Sequence, residues 1–338
     1  MHAPYQSDYL VMHPSFAPKI SLLLVISIGL LGIGAAVGSG GLSWNLDSGV
    51  LQNTIVLDIR LPRSTGAWLA GALLGLAGAI AQGVFRNPLA DPYLLGSASG
   101  ALMGVALILG FAHLAPDSWI ELIGLNGSAF VGALLGVLAA LILAGGYRSS
   151  LRLLLSGVVI SVILGAGNAL FTFVRPDLYQ RLQAFMLGNT SLLDWQGVYI
   201  LLLVWFICIA LTLLMSAALD ALSLGENTAK TVGLPIDQMR LGLIGILAIA
   251  TGCAVAQTGL IAFVGLAAPH LVRRLANGHQ RMHLILSSLA GGILLLSSDL
   301  LARSALAPLE LPVGIITAVV GGIYLLVLLR RQSVGASG

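Results

Sequence analysis

The sequence predicts an all-α polytopic membrane protein with about ten transmembrane helices. Of its 338 residues, 58% are hydrophobic and only 9% are charged, and the mean hydropathy is +1.00. In a soluble domain, roughly a quarter of all residues are charged. This chain therefore has too few polar groups to solvate the surface of a soluble protein of its size. Composition therefore excludes a water-soluble enzyme, and lipid is the expected surrounding of most of the chain.

A single transmembrane domain is predicted at 20–331, between an N-terminal tail at 1–19 and a C-terminal tail at 332–338. A spanning helix needs about 20 mostly apolar residues, and the chain offers nine apolar runs. These runs are 20–38, 66–84, 94–111, 130–146, 153–174, 198–219, 241–272, 284–302 and 313–329. Small residues at four-residue spacing recur within them, as is typical of helices that pack closely in lipid.

The longest apolar run, 241–272, decides the predicted topology. It is too long for one helix at ordinary tilt and short for two, and Gly252, Gly259 and Gly265 offer places to break it. Lys and Arg concentrate in cytoplasmic loops, and 11 of the 16 basic residues share one side only when the chain crosses twice within this run. We therefore expect two crossings or a re-entrant pair here, ten spans, and both termini in the cytoplasm.

The absence of several sequence motifs excludes some classes of function for this chain. The basic residues form no stripe that could follow a phosphate backbone, so no nucleic-acid partner is expected. The chain's lysines, Lys19 and Lys230, do not stand in the Gly-Lys-Ser/Thr context of a phosphate-binding loop, so the chain is not its own ATPase by that motif. No residue pattern indicates a metal site or a cofactor bound by this chain.

An ion-coupled secondary transporter is the alternative prediction. Such carriers place coupling groups near the membrane midplane, and the apolar runs contain few ionisable residues. Asp299 lies near the outer end of its run with Arg303 one turn later, which is the spacing of an i,i+4 ion pair at the interface. Uptake that survives without ATP but collapses with the ion gradient would identify this class. A structural membrane scaffold, which would copurify without an ATPase, is a third possibility.

Two arginines, Arg60 and Arg63, lie one turn apart just before the second span, on the predicted outer side. Outward arginines run against the positive-inside trend, and a guanidinium offers a planar fork that matches carboxylates. The pair indicates a docking site for acidic groups of an external protein or ligand. Ordinary snorkelling at the interface is the alternative.

The predicted cytoplasmic side carries two further polar segments. In the turn after the second span, Pro88 and Pro92 end the helix and bend the chain back. The longest loop, 218–237, predicts two short helices parted by Gly225 and stopped by Gly233. Because helices this short are marginal alone, we expect them to dock on the bundle or, preferably, on a cytoplasmic partner.

Five motifs occur in a fixed order along the chain. They are Arg60-Leu-Pro-Arg63, Gln82 with Arg86-Asn-Pro-Leu-Ala-Asp-Pro92, Leu224-Gly-Glu226, Phe263-Val-Gly-Leu-Ala-Ala-Pro-His270 and Leu311-Pro-Val-Gly-Ile315. Together they resemble the FecCD family, the ABC-importer permeases for ferric siderophores, haem and vitamin B12. The similarity runs from about Gly49 to Leu329, and its most specific elements are Arg-Asn-Pro-Leu-Ala-Asp-Pro and Pro-His.

This resemblance implies a type II ABC importer permease bundle in the bacterial inner (cytoplasmic) membrane. It implies a homodimer around a central path, two cytoplasmic ATPase subunits that use ATP and Mg, and a periplasmic substrate-binding protein. The substrate would be a metal chelate, an iron-siderophore or haem ahead of vitamin B12, and the motifs do not select among them.

The resemblance also implies roles for three groups of residues. Arginines that match those receiving glutamates of the binding protein are Arg60, Arg63 and Arg303. The element coupled to the ATPase would include Leu224, Gly225, Glu226, Ala229 and Gly233. The cytoplasmic turn would include Arg86, Asn87, Pro88, Asp91 and Pro92.

Overall fold

The computed structural model describes residues 17–38, 41–42, 54–111, 119–147, 149–223 and 235–335. The α-helices in these ranges are α1 Ala17–Ala36, α2 Leu61–Phe85, α3 Ser97–Phe111, α4 Trp119–Leu143, α5 Ser150–Val174, α6 Tyr179–Leu187, α7 Trp195–Leu214, α8 Ser216–Ser223, α9 Ile236–Thr258, α10 Val264–Val272, α11 Gln280–Ser304 and α12 Val313–Gly335. A π-helical turn, Ile55–Arg60, runs into α2. The only strands in these ranges, β1 Val37–Gly38 and β2 Gly41–Leu42, form a short antiparallel pair.

Within the described ranges, seven helical segments are long and apolar enough to cross a membrane. They are Ala17–Ala36, Ile55–Phe85, Gly124–Leu143, Ser150–Val174, Trp195–Leu214, Ile236–Thr258 and Gln280–Ser304. Two shorter apolar segments, Ser97–Phe111 and Val313–Val327, accompany them. The prediction of an all-α protein with many membrane-spanning helices is confirmed.

The apolar run 241–272 breaks at Gly259, one of the three glycines predicted as candidates. Gly259 has a φ of +68°, and a Cβ there would lie 2.5 Å from the carbonyl oxygen of Phe185. A side chain is thus excluded by both conformation and space. The helix α10 beyond the break has nine residues, about 14 Å at a rise of about 1.5 Å per residue, which is less than half of the hydrocarbon thickness.

Helix α10 returns towards the end of the bundle at which α9 begins. The Gln82 amide near the end of α2 donates to the Leu266 carbonyl at 3.2 Å, and His283 Nε2 near the start of α11 lies 2.9 Å from the Pro269 carbonyl. The side chain of Arg240, in the first turns of α9, donates to the Tyr147 carbonyl near the same end. The long helix followed by a short returning one agrees with the predicted re-entrant pair.

Helix α2 forms the centre of the bundle, with 21 of its 25 residues buried. Glycines on α2 let its neighbours approach to backbone contact. A Cβ on Gly75 would lie 2.2 Å from the Ser287 carbonyl of α11, and one on Gly78 would lie 1.7 Å from the Gly265 carbonyl of α10. Because lipid provides no hydrophobic drive between helices, such close packing stabilises the bundle, as the spacing of small residues predicts.

Hydrogen bonds between segments define one end of the bundle, which we call the Asp299 end. Arg60 Nη1 donates to the Ala36 carbonyl at 3.0 Å, which joins the π-helical turn before α2 to the last residue of α1. Trp195 Nε1, at the start of α7, donates to the Leu57 carbonyl at 2.9 Å. The π-helical turn therefore lies beside both the last turn of α1 and the first turn of α7.

The opposite end of the bundle, which we call the Arg273 end, includes the start of α1, the end of α10 and the starts of α8 and α11. Lys19 Nζ donates to the Leu275 carbonyl at 2.7 Å, and Arg281 Nε donates to Ser216 Oγ at 2.9 Å. The basic residues segregate between the two ends as the charge pattern predicts. Among described residues, the Asp299 end holds Arg60, Arg63, Arg175, Arg181 and Arg303, and the Arg273 end holds Lys19, Arg86, Arg152, Arg240, Arg273, Arg274, Arg281 and Arg330.

Candidate functional site

A buried ion network lies at the Asp299 end, where the first turn of α2 meets the last turns of α11. Pro62 stands in the first turn of α2, directly after the π-helical turn, and Arg63 follows it. Arg63 Nη2 lies 3.0 Å from Asp299 Oδ1, and Arg63 Nη1 lies 2.8 Å from Glu310 Oε2. One guanidinium thus bridges two carboxylates from different segments.

Asp299 is the centre of this ion network. Its side chain is 0% exposed, and its carboxylate accepts hydrogen bonds from Arg63 Nε at 3.1 Å and from Thr190 Oγ1 at 2.6 Å. Its other oxygen pairs with Arg303 one turn later in α11. Because burying an unpaired carboxylate is very costly, this set of donors explains how a charge is tolerated here. The predicted i,i+4 pair of Asp299 and Arg303 is confirmed.

Arg303 lies deeper than any other arginine of the site, with a side chain that is 1% exposed. Its Nη2 donates to Ser64 Oγ at 2.9 Å, and its Nη1 donates to the carbonyls of Gly34 and Val37, both at 3.3 Å. Its Nε is buried without a hydrogen-bond partner in the described part of the chain. The end of α1 therefore closes over this guanidinium.

Arg60 occupies a different environment from the other two predicted docking arginines. It is half-buried, and its guanidinium lies under the backbone of Gly38, where a Cβ would come within 2.5 Å of Arg60 Nη2. In this conformation Arg63 and Arg303 face Asp299 rather than the outside, because the fold supplies an internal carboxylate. The role of all three arginines in docking an external protein stays a prediction, and Arg60 is the nearest of them to the surface.

Sequence patterns did not indicate the participation of Glu310, Thr190 and Ser64. Glu310 lies in the connection between α11 and α12, and Thr190 lies between α6 and α7, far from Arg63 along the chain. The sequence did contain one signal, which is an imbalance of charge. Arg63 and Arg303 carry two positive charges beside the single acid Asp299, so a second carboxylate is needed to neutralise them.

The turn predicted to be cytoplasmic packs between α2 and α3. Helix α2 ends where Arg86 adopts a left-handed conformation with a φ of 51°, and Asn87 Oδ1 then accepts a hydrogen bond from the Leu89 amide at 2.9 Å. Pro88 follows Asn87 in the tight turn. The prediction that this motif ends the helix and bends the chain back agrees with these bounds, and Pro92 packs against α10 at Gly265.

The carboxylate of Asp91 caps the short 3-10 helix Pro92–Leu95 of this turn. Asp91 Oδ1 accepts a hydrogen bond from the Tyr93 amide at 2.8 Å, which satisfies a helix-terminal donor. Burial raises the pKa of Asp91 to about 6, and the hydrogen bond from the Tyr93 amide opposes that rise. The Tyr93 hydroxyl donates to the Ile261 carbonyl at 3.2 Å, so the turn reaches the break between α9 and α10.

The residues predicted to couple to an ATPase, Leu224, Gly225, Glu226, Ala229 and Gly233, lie outside the described residues. Helix α8, which leads into them, agrees with the first of the two short helices predicted for 218–237. It is held on the bundle by the hydrogen bond between Arg281 and Ser216 and by Leu219, which packs against Gly83 of α2.

Comparison with known proteins gives a consistent result over nearly the whole chain. The FecCD transport family matches residues 20–331. The hemin transport system permease protein of Yersinia pestis is 37% identical over 325 residues, which cover 94% of this chain and 95% of that protein. The ferric enterobactin transport system permease protein of Escherichia coli is 39% identical over 332 residues, with coverage of 95% and 96%.

The chain is also similar to a permease that is named for a third substrate and to a transporter of solved structure. The vitamin B12 import system permease protein of Pectobacterium atrosepticum is 36% identical over 282 residues, which cover 83% of this chain and 84% of that protein. A solved structure described as a metal-chelate type ABC transporter in an inward-facing conformation has a TM-score of 0.84 at 28% identity, covering 93% of this chain and 99% of its own. The chain belongs to the FecCD transport family.

Proposed function

We propose that this chain is the transmembrane permease subunit of an ABC importer that carries a metal chelate into the cytoplasm. The observation that carries the proposal is similarity over more than nine tenths of the chain to permeases named for hemin and ferric enterobactin. An iron-siderophore or haem is the proposed substrate, with vitamin B12 next. The chain is a multi-pass protein of the bacterial inner membrane.

The proposed topology has ten membrane helices and cytoplasmic termini. The ten are the seven long spans, the shorter α3 and α12, and the half-length α10. The Arg273 end is assigned to the cytoplasm because more basic residues collect there than at the Asp299 end. The Asp299 end then faces the periplasm.

Energy and substrate delivery are assigned to partner chains. The proposed assembly is a homodimer of this permease with two cytoplasmic ATPase subunits, which bind ATP and Mg, and a periplasmic substrate-binding protein. This chain is proposed to make and break no covalent bond and to bind no cofactor. Contacts with the ATPase are proposed for Leu224, Gly225, Glu226, Ala229 and Gly233, because the docked helix α8 leads directly into that segment.

Reconstitution of the assembled transporter in proteoliposomes tests this function. The permease, its ATPase and the binding protein would be combined, and uptake of ferric enterobactin, hemin and cobalamin would be measured. We expect uptake of one of these chelates that requires ATP and persists when ionophores collapse the ion gradients. Uptake that does not require ATP and is abolished by the ionophores would instead show that the protein is an ion-coupled secondary transporter.

Charge reversal at Arg60 is expected to weaken docking of the binding protein about tenfold, because close charge pairs across an interface contribute on that scale. Affinity would be measured on Arg60→Glu in lipid nanodiscs. Arg181→Glu, a reversal at an exposed arginine of the same end, is the matched control. Arg60→Gln keeps an amide donor for the Ala36 carbonyl and separates the charge effect from a change in local structure. Equal affinity for Arg60→Glu and the unaltered permease would remove Arg60 from the docking site.

A further inference from the structure

The buried ion network is neutral only when Glu310 is counted. Arg63 and Arg303 contribute two positive charges, and Asp299 contributes a single negative charge that both guanidiniums share. Glu310 supplies the second negative charge through Arg63 at 2.8 Å. Without Glu310, a guanidinium that is largely removed from water would lack a counter-charge.

Glu310 is also the member that is most open to solvent. Its side chain is 31% exposed, whereas that of Arg63 is 10% exposed and that of Asp299 is 0% exposed. Asp299 is held by three side-chain donors from separate segments, namely Arg63, Thr190 and Arg303. Separating Glu310 from Arg63 therefore costs less free energy than separating Asp299 from it when an external group competes for the arginine.

We propose that Glu310 occupies the place on Arg63 that an acidic side chain of the docking protein takes when it binds. Glu310 thus masks the docking site of its own permease, and Arg63 becomes available to the partner by exchange of one carboxylate for another. The inference rests on the proposed function and adds to it a resident carboxylate, Glu310, that the docking protein must displace from Arg63.

The energy of the resident pair favours such an exchange. Water reaches the Glu310 side of the pair, which is 31% exposed, and screening lowers the energy of the pair towards the roughly 0–1 kcal/mol that is typical of exposed ion pairs. A docking protein that gains other contacts can therefore displace Glu310 at little cost. The guanidinium keeps a carboxylate partner throughout, so no buried charge is left unpaired during the exchange.

The test compares Glu310→Gln with a matched removal of charge at the same end. Glutamine keeps an oxygen that can accept from Arg63 but removes the competing charge. Asp177→Asn removes an equal charge from an exposed acid, which pairs with Arg175 at 2.9 Å and does not contact Arg63. Arg175 holds the pKa of Asp177 below its usual range, so that control residue is ionised at neutral pH. The probe is the binding protein that supports uptake in the reconstituted transporter, titrated onto the permease in nanodiscs.

We expect Glu310→Gln to tighten binding about three- to tenfold, which corresponds to roughly 0.7–1.4 kcal/mol, and Asp177→Asn to leave the affinity within about twofold. Saturable binding to the unaltered permease with no gain, or with a loss, in Glu310→Gln would overturn the exchange and leave the proposed function intact. An equal gain in both variants would also overturn it, since that result indicates a general effect of charge. If the unaltered permease does not bind the protein that supports uptake, docking itself fails and the exchange fails with it.

Discussion

Asp299→Asn is expected to lower the free energy of unfolding by about 3–5 kcal/mol, the usual cost of removing one partner of a buried ion pair. The substitution keeps the shape of the side chain and removes the charge on which Arg63 and Arg303 converge. One guanidinium of the network would then lie in a buried position without a counter-charge. Unfolding by sodium dodecyl sulfate in mixed micelles would measure the change.

A double variant separates loss of charge balance from loss of packing. Asp299→Asn combined with Arg303→Gln leaves Arg63 paired with Glu310 and restores a neutral network. We expect the double variant to be more stable than Asp299→Asn alone, because the two substitutions share one network and are not additive. Asp177→Asn, at an exposed pair, is the control with little expected effect. If Asp299→Asn were as stable as this control, the buried network would not exist in the folded protein.

Gly78→Ala is expected to destabilise the protein by about 1–3 kcal/mol, the usual range for overpacking a well-packed interior. A Cβ at this position would lie 1.7 Å from the Gly265 carbonyl, and a backbone oxygen cannot move without shifting the whole of α10. Displacement of α10 would also disturb the hydrogen bond from Gln82 to the Leu266 carbonyl. We expect both the stability measured by unfolding in mixed micelles and the rate of chelate uptake in proteoliposomes to fall.

Gly245→Ala is the matched control for this prediction. Gly245 also lies within a long helix, α9, but a Cβ there would meet no atom within 4 Å. Because alanine is a better helix former than glycine by about 1 kcal/mol, we expect this variant to be as stable as the unaltered protein or slightly more so. A similar loss of stability in both variants would show that the close approach of α2 and α10 is not what Gly78 provides.

Much of the helical architecture could be predicted because its causes are local in the sequence. Apolar runs of spanning length follow from the need to satisfy the backbone inside lipid. A break at one of three glycines was predicted for the 241–272 run, and it occurs at Gly259, whose φ of 68° and ψ of −165° form a combination that is essentially restricted to glycine. The ion pair of Asp299 and Arg303 and the turn that ends α2 could also be predicted, because the residues that form each of them are close in the sequence.

The candidate site could be predicted only in part. The predicted outward placement of Arg60, Arg63 and Arg303 singled out the end of the molecule at which the buried ion network lies, but it also led us to expect that all three arginines are exposed. Burial depends on which segments cover a side chain, and the covering segments come from the end of α1 and from Thr190, distant in the chain. No pattern around Arg63 contains that information.

The sequence by itself determined a membrane protein of many helices, the segregation of basic residues, the family, and the absence of a phosphate-binding loop from this chain, because these depend on composition and on short motifs. Only the tertiary structure decided that Asp299 gathers Arg63 and Arg303 into a buried network, and that Glu310 completes its charge balance from the surface. The physical reason is that the energy of an ion pair is set by distance and desolvation. Both quantities arise only when segments far apart in the chain are packed together.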